Sequence, residues 1–449
     1  MSAPPPGSVA VIGLGKIGLP LAAQFASRGL SVIGCDIVPS IIGRINEGGN
    51  PLPDEPGIDE IIARAVPDGR LRATTDVASA IGSAGVIVVI VPVKASDGGV
   101  LDTGALDAAT SAIGTAIRTG TLVIYEMTLP VGMTRQLGAR IAGASGLSLG
   151  SDFFVAYSPE RVYSGRVLSD LGRYPKIVGG VDPPSGARAA EFYRAALAPA
   201  DAGAPDRVTL LSSADAAEFT KLIETTYRDV NIALANEFAL FADRWGLDIG
   251  EAVDAANRQP FSHIHRPGVG VGGHCIPVYP HFLLNDARGG ADLTLARAAR
   301  TRNDAMADYG VARLVEELGD LRDRRVLIFG YSYRENVRED HLSSARRLVD
   351  ALRGRGARPA VHDPFYSADD LRERGYEPFA IDNPPEAEAV ILQAYHRAYR
   401  AIDWGKLAGC RVLLDGRNAL DGAAIEAAGI RYLGIGRRAQ RETVRYRRA

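Results

Sequence analysis

The sequence predicts an α/β chain in which two open parallel-sheet domains flank a helical segment built on one long helix. Three observations predict it: a strand, glycine turn and helix at 9–28, a long helical window at 214–245 without Gly or Pro, and a second βαβ unit from 325. In order, Val9 to Ile12 is an apolar strand running into Gly13-Leu14-Gly15-Lys16-Ile17-Gly18. Residues 19–28 read as a helix and 30–35 as a second strand ending at Asp36. The run 85–91 and residues 121–125 are continuous apolar segments, as strands covered on both faces require. Strands alternating with helices place ligands at the strands' carboxyl ends. The window 214–245 carries apolar residues at helical spacing, Gly-rich sequence interrupts at 266–273, and helix resumes over 293–318. From Arg325, residues 326–329 read as strand, 344–353 as helix and 359–362 as strand before Asp363. This unit echoes the first, but Gly330-Tyr331-Ser332 replaces the glycine fingerprint. It should fold like a nucleotide-binding half without holding a pyrophosphate in the same way. The expected division is 1–205, closing at the loop 198–205, then 206–312 and 313–449.

Composition narrows the function. Charged residues make up 23% and the net charge is −2, so neither nucleic acid nor another bulk polyanion is an expected partner. The one basic concentration, 437–448, reads as a solvated end, with a weak nucleic-acid or membrane patch as the alternative. The Pro-rich start at 1–7 lacks the basic-then-apolar order of a signal peptide, and no apolar run reaches the ~18 residues that could span a bilayer. Cys35, Cys275 and Cys410 are far apart and odd in number, which points to a reducing cytoplasm rather than a disulfide scaffold.

Two motifs carry chemistry. In the opening fingerprint Gly13 permits the tight turn, Gly15 lets backbone approach a pyrophosphate, and Gly18 lets the helix pack close. Phosphate charge then sits at a helix N-terminus. Asp36 would accept hydrogen bonds from both ribose hydroxyls and repel a 2′-phosphate, so the expected cofactor is NAD rather than NADP. The second motif is Gly270-Val271-Gly272-Gly273-His274-Cys275-Ile276-Pro277. Its glycines let the backbone come close to a ligand and expose the thiol. A small buried cysteine after a flexible turn is the plain alternative. A metal site is another, from His263, His265, His274, Cys275 and His281, but these spacings match no ligand pattern. No metal is expected.

With these residues goes a resemblance. The chain resembles the UDP-glucose/GDP-mannose dehydrogenase family over essentially its whole length. The matching pieces are the fingerprint, Glu55-Pro56-Gly57, Thr128-Leu129-Pro130-Val131-Gly132, Ser158-Pro159-Glu160-Arg161, Lys221-Leu222, Gly272-Gly273-His274-Cys275 and the C-terminal βαβ unit. The resemblance implies an N-terminal NAD-binding Rossmann domain, a central dimerisation domain and a C-terminal nucleotide-sugar-binding Rossmann-like domain. It implies a four-electron oxidation of a sugar's C6 alcohol to the uronic acid with two NAD in turn, in a cytoplasmic homodimer whose middle helices pair. Cys275 would be the nucleophile, forming a thiohemiacetal and then a thioester. Lys221 would stabilise the oxyanion, and Glu160 and Thr128 would position water. Lys16, Ile17, Pro92, Thr128 and His341 would join the fingerprint and Asp36 in holding NAD. Glu160, Arg161, Lys221, Arg258, Gly270, Gly272, Gly273, Tyr333 and Arg334 would hold the sugar nucleotide, Arg258 reaching across the dimer.

The chain also departs from that family. Tyr279 stands where an aspartate is usual, Thr225 where an asparagine is, His341 where an arginine is, Ser343-Ser344 where Ser-Pro is, and Arg334 where a lysine is. The first two touch hydrolysis, so altered water activation is expected, with Glu160 carrying more of it. A glucose-type sugar on UDP or dTDP is the first expectation for the substrate, and a UDP-N-acetylhexosamine the alternative. Two rival functions remain: a two-electron hydroxyacid-type dehydrogenase needing no thiol, and a non-catalytic protein that binds NAD and nucleotide sugar.

Overall fold

The computed structural model describes residues 7–52, 55–96, 98–163, 165–197, 206–286 and 292–438. The loop expected to close the first domain, the start at 1–6 and the basic tail from 439 lie outside the described residues. The chain forms two compact units, 1–224 and 225–449.

In the first unit the strands are β1 (Ser8–Ile12), β2 (Ser31–Cys35), β3 (Leu71–Thr74), β4 (Val86–Val89), β5 (Lys94–Ala95), β6 (Leu101–Asp102), β7 (Leu122–Tyr125), β8 (Phe154–Tyr157), β9 (Lys176–Gly180) and β10 (Val208–Leu211). β5 and β6 make a small ribbon, and the rest form one sheet in the order β10-β9-β8-β7-β4-β1-β2-β3. The apolar runs that predicted strands are buried throughout β1 and β7, because helices cover both faces. Strand order reverses at β1, which pairs with β2 on one side and β4 on the other. That is where an open α/β sheet makes a ligand crevice.

One departure from the all-parallel expectation matters. β9 runs antiparallel to β8, with Tyr157 opposite Gly179. A parallel return is usually carried by a crossover helix packed on the sheet, and the described residues of the link here form no helix but the short Val167–Leu171. The chain therefore turns back, and β9 starts at the carboxyl edge of β7 and β8.

The helix Ala214–Trp245 has the bounds that the sequence predicts. The Ser213 hydroxyl accepts the Ala216 N–H at its start, and Gly246 (φ +67°) leaves helical space at its end. Beyond the unit boundary its buried face mixes alanines (Ala233, Ala235, Ala239 and Ala242) with polar and charged groups. Asp229 meets Arg300 at 2.5 Å, Asn236 meets Asn303 at 2.9 Å and Asp243 meets Arg313 at 2.7 Å. The partners lie on Thr294–Asp304 and Met306–Leu318. The predicted helix 293–318 thus has a one-residue interruption at Ala305, whose N–H still reaches Thr301 O at 3.1 Å.

The second unit's sheet contains β11 (Arg325–Phe329), β12 (Arg358–His362), β13 (Glu377–Pro378), β14 (Ala389–Leu392), β15 (Val412–Asp415), β16 (Arg431–Gly434) and β17 (Arg437–Arg438), in the order β13-β12-β11-β14-β15-β16-β17. Among the described residues only the β16–β17 pair of this sheet is antiparallel. Asp363 occupies the place of Asp36 but differs in use. It is buried and accepts from Tyr331 N at 2.8 Å, Ser332 N at 2.7 Å and Phe365 N at 2.9 Å, with His396 Nε2 3.0 Å away. With no solvent face left, it cannot receive a ribose as Asp36 can. Among the described residues no helix is long and apolar enough to cross a membrane.

Candidate active site

The first candidate surface is the turn after β1. Gly13 has φ +101°, and a Cβ there would lie 2.6 Å from Ile90 O. A Cβ on Gly18 would lie 1.9 Å from Gly13 O, whereas one on Gly15 would meet nothing within 4 Å. The first and third glycines are thus required by the turn itself, and the second leaves open space over the N-terminus of helix Gly18–Ser27. Gly15 and Lys16 are exposed there, Ile17 is half-buried, and Pro92 is exposed beyond the end of β4. Asp36 Oδ2 accepts Leu14 N at 2.9 Å and Oδ1 accepts Val38 N at 3.0 Å. Each oxygen keeps a lone pair for a ribose hydroxyl. These residues fit a dinucleotide: backbone for the pyrophosphate, a carboxylate for the ribose.

Thr128, Glu160 and Lys221 occupy the carboxyl edge of the same unit. Thr128 is buried in the segment that follows β7. Lys221, on the long helix, donates from Nζ to the Glu160 carbonyl at 2.7 Å. Glu160 Oε1 accepts Arg161 N at 2.6 Å and Val162 N at 3.0 Å, while Oε2 lies 2.8 Å from Lys176 Nζ. Arg161 is occupied by Glu224 at 2.9 Å and by Pro175 O at 3.2 Å. Sequence reasoning missed four neighbours: Lys176, Glu126, Tyr193 and Glu218. Lys176 also pairs with Glu126 at 2.7 Å, Tyr193 donates to Glu126, and Glu218 holds the segment that follows Thr128. The signal for the two acids is a charge where burial forbids a free one: Glu126 directly after an apolar strand, Glu218 one turn before Lys221. Burial pushes the Glu218 carboxyl up to about 7 against three hydrogen bonds that pull it down.

In the second unit Cys275 is exposed on the glycine loop. Here the glycines have a packing reason that the sequence could not show. A Cβ on Gly270 would lie 2.7 Å from Ser344 Cβ, on Gly272 2.7 Å from Leu342 O, and on Gly273 2.9 Å from the Tyr333 ring. The Gly273 N–H is engaged by His341 O at 2.8 Å, and the His341 ring stacks on His274 with centroids 4.2 Å apart. So Cys275, Gly270–Gly273, Tyr333 and His341 come together. Arg334 Nε donates to the Tyr333 hydroxyl at 3.2 Å. Burial raises the Tyr333 phenol, and Glu339 and Cys275 add to it. Arg417, which the sequence reading passed over, bonds Tyr333 O at 3.3 Å and Gln393 O at 2.5 Å in the same corner. Arg258 is not gathered with them; it is exposed on the turn after helix Ile249–Ala256. Tyr279 donates its N–H to Cys275 O at 2.9 Å and turns its ring to Phe282. Thr225 is buried.

Comparison with known proteins settles the family. Residues 7–197 match the NAD binding domain of the UDP-glucose/GDP-mannose dehydrogenase family, 215–305 its central domain and 327–422 its UDP binding domain. The chain belongs to that family. As a member of the UDP-glucose/GDP-mannose dehydrogenase family it is an NAD-dependent nucleotide-sugar dehydrogenase, and NAD is its cofactor. The UDP-N-acetyl-D-mannosamine dehydrogenase of Pyrococcus horikoshii is 34% identical over 438 residues, 96% of this chain and 99% of that protein. The NDP-N-acetyl-D-galactosaminuronic acid dehydrogenase of Ralstonia nicotianae is 33% identical over 94% of this chain and 98% of its own length. A solved UDP-glucose dehydrogenase from Pyrobaculum islandicum superposes with a TM-score of 0.83 at 28% identity, covering 96% of this chain and 98% of that one.

Proposed function

We propose that this dehydrogenase oxidises the C6 alcohol of a UDP-N-acetylhexosamine, N-acetyl-D-mannosamine first, to the carboxylate through a covalent Cys275 thioester. The sequence alone put glucose first. The relatives named for N-acetylated sugars support the second reading better, and the likeness to a glucose enzyme shows that one fold serves both. The observation that carries the chemistry is the exposed thiol on a glycine loop, in a chain with an NAD-binding turn.

NAD supplies the hydride acceptor, and it is used twice. Overall, RCH2OH, two NAD+ and water give RCOO−, two NADH and three protons. The Cys275 thiolate adds to the aldehyde carbon, which makes loss of a second hydride feasible and leaves a thioester. Water then cleaves the C–S bond and returns the thiol. The Lys221 ammonium stabilises the oxyanion of each tetrahedral stage; its bond to the Glu160 carbonyl fixes its place. Thr128 and Glu160 order the water. Gly13, Gly15, Lys16, Ile17, Gly18, Asp36, Pro92 and His341 are the proposed cofactor residues. Arg161, Arg258, Gly270, Gly272, Gly273, Tyr333, Arg334 and the added Arg417 are proposed for the sugar nucleotide. The division 1–205, 206–312 and 313–449 is likewise proposed. A homodimer is supported by Phe219, Ile223, Tyr227, Leu234, Phe238, Phe241 and Trp245, spaced along one helix and each more than two-fifths exposed. The free thiols support a reducing, cytoplasmic setting.

Because Tyr279 offers a phenol where the family resemblance implies a carboxylate, hydrolysis of the thioester is the slow step. Rapid mixing with NAD and UDP-N-acetyl-D-mannosamine should give an NADH burst, with intact-protein mass spectrometry showing sugar acyl on Cys275. Linear NADH release with no adduct would remove hydrolysis as the slow step.

A further inference from the structure

The charged cluster behind Glu160 is deeper than ordering a water requires. β7 ends at Tyr125 and β8 at Tyr157, so Glu126 and Glu160 emerge at the carboxyl edge of the parallel strands. The reversed β9 delivers Lys176 to that same edge. Lys176 Nζ sits between the two acids, 2.7 Å from Glu126 Oε2 and 2.8 Å from Glu160 Oε2. Side-chain exposure is 5% for Lys176, 0% for Glu126 and 10% for Glu160. Tyr193, on helix Pro183–Ala196, donates to Glu126 Oε1, and its ring lies 5.1 Å from Lys176 Nζ. The Glu160 N–H donates to Glu126 O at 3.1 Å, so backbone as well as side chains join the two acids.

We propose that Lys176 is the positioning residue that fixes the Glu160 carboxylate, and that Glu126 with Tyr193 holds Lys176 from behind. The proposal rests on the reading of Glu160 as the water-ordering acid. Two carboxylates share one ammonium in a dry site, so one of them is the easier to protonate. Glu160 has two backbone N–H donors on its other oxygen and, among the described residues, Glu126 has none, which makes Glu126 that group. Burial pushes Glu126 up to about 7, Lys176 opposing and Glu160 adding. Burial also raises Glu160, but Lys176 and the Arg161 N–H outweigh it and hold the carboxyl below its ordinary range. The other titratable or charged groups that face the array are Tyr193, Tyr174 and Arg161, with Lys221 at the Glu160 carbonyl. Glu126 thus takes up the proton near neutrality while Glu160 stays ionised and fixed.

The test measures kcat and KM against pH for the full chain with NAD and UDP-N-acetyl-D-mannosamine. The variants are Lys176→Met, Lys176→Arg, the pair Lys176→Met with Glu126→Gln, and Glu160→Gln. Lys176→Met strands two buried carboxylates, so Glu160 gains a proton at a pH where it is normally charged. The expected result is a kcat down by about tenfold at neutral pH, both KM values within about twofold, and an acid limb moved up by about one pH unit or more. Lys176→Arg should keep the wild-type limb. The paired variant, which removes one acid with the base, should bring the limb back, and it also serves should Lys176→Met fold poorly. A pH-independent loss, or a paired variant no better than Lys176→Met, overturns the positioning role. An impaired Glu160→Gln beside an unaffected Lys176→Met refutes Lys176 alone, whereas an unaffected Glu160→Gln removes the reading on which the proposal rests.

Discussion

Replacing Glu218 by alanine should loosen the first unit and slow turnover together. Glu218 is wholly buried on the long helix, one turn before Lys221. Its Oε2 accepts Gly132 N at 2.6 Å, and its Oε1 accepts Thr134 N at 2.8 Å and Thr134 Oγ1 at 2.6 Å. Alanine leaves three donors without an acceptor, two of them on a fully buried residue. At about 1–3 kcal/mol for each orphaned donor, the loss is about 3–9 kcal/mol. A unit of this size loses about 2–4 °C per kcal/mol, so the first transition should fall by about six degrees or more. Glu218→Gln keeps a carbonyl for Thr134 and opposes an amide to the Gly132 N–H, so it should lose only about 1–3 kcal/mol. Calorimetry on both variants, with kcat at a temperature where each is folded, checks the ladder. Because the same carboxylate ties the segment after Thr128 to the helix bearing Lys221, kcat should fall more for alanine than for glutamine. An alanine variant that melts within about two degrees of wild type would refute the reasoning.

Three further outcomes follow from the same geometry. Gly18→Ala puts a Cβ 1.9 Å from Gly13 O; the strain of about 1–3 kcal/mol should weaken NAD binding by about fivefold or more in a calorimetric titration, and unchanged affinity would contradict it. Iodoacetamide at mild alkaline pH should label Cys275 first and abolish turnover, because Cys275 is exposed while burial pushes the Cys35 and Cys410 thiols up to about 12; peptide mapping that finds Cys410 labelled first would count against it. Phe241→Glu, on the exposed apolar stripe, should weaken the proposed dimer by about a hundredfold or more, seen as a halved mass in light scattering at low concentration; an unchanged mass would place the interface elsewhere.

The parts of the fold legible in the sequence are those written locally. β1 and β7 are all-apolar runs, the fingerprint declares its own turn, and Ser213 and Gly246 mark both ends of the long helix. The site was legible where one short segment carries it, as at Ser158-Pro159-Glu160-Arg161 and Gly273-His274-Cys275. What lay outside local reach was contact across long separations. Lys176 and Glu126 are 50 residues apart and meet only because β9 runs backwards, a direction that the apolar residues of a strand do not encode. The glycines before Cys275 read as room for a ligand, yet their neighbours are Tyr333, Leu342 and Ser344, far along the chain. Asp363 reads like Asp36, and its burial under His396 depends on a residue 33 positions away.

The central claim is a four-electron oxidation of an N-acetylated sugar, and its most direct test is the yield of NADH per sugar at completion. Limiting UDP-N-acetyl-D-mannosamine, UDP-N-acetyl-D-glucosamine, UDP-glucose and dTDP-glucose are run in parallel, with wild type and Cys275→Ser. The account predicts two NADH per UDP-N-acetyl-D-mannosamine, little from either glucose nucleotide, and no completed four-electron turnover without the thiol. One NADH per sugar, unaffected by Cys275→Ser, would contradict it and leave a simple two-electron alcohol dehydrogenase.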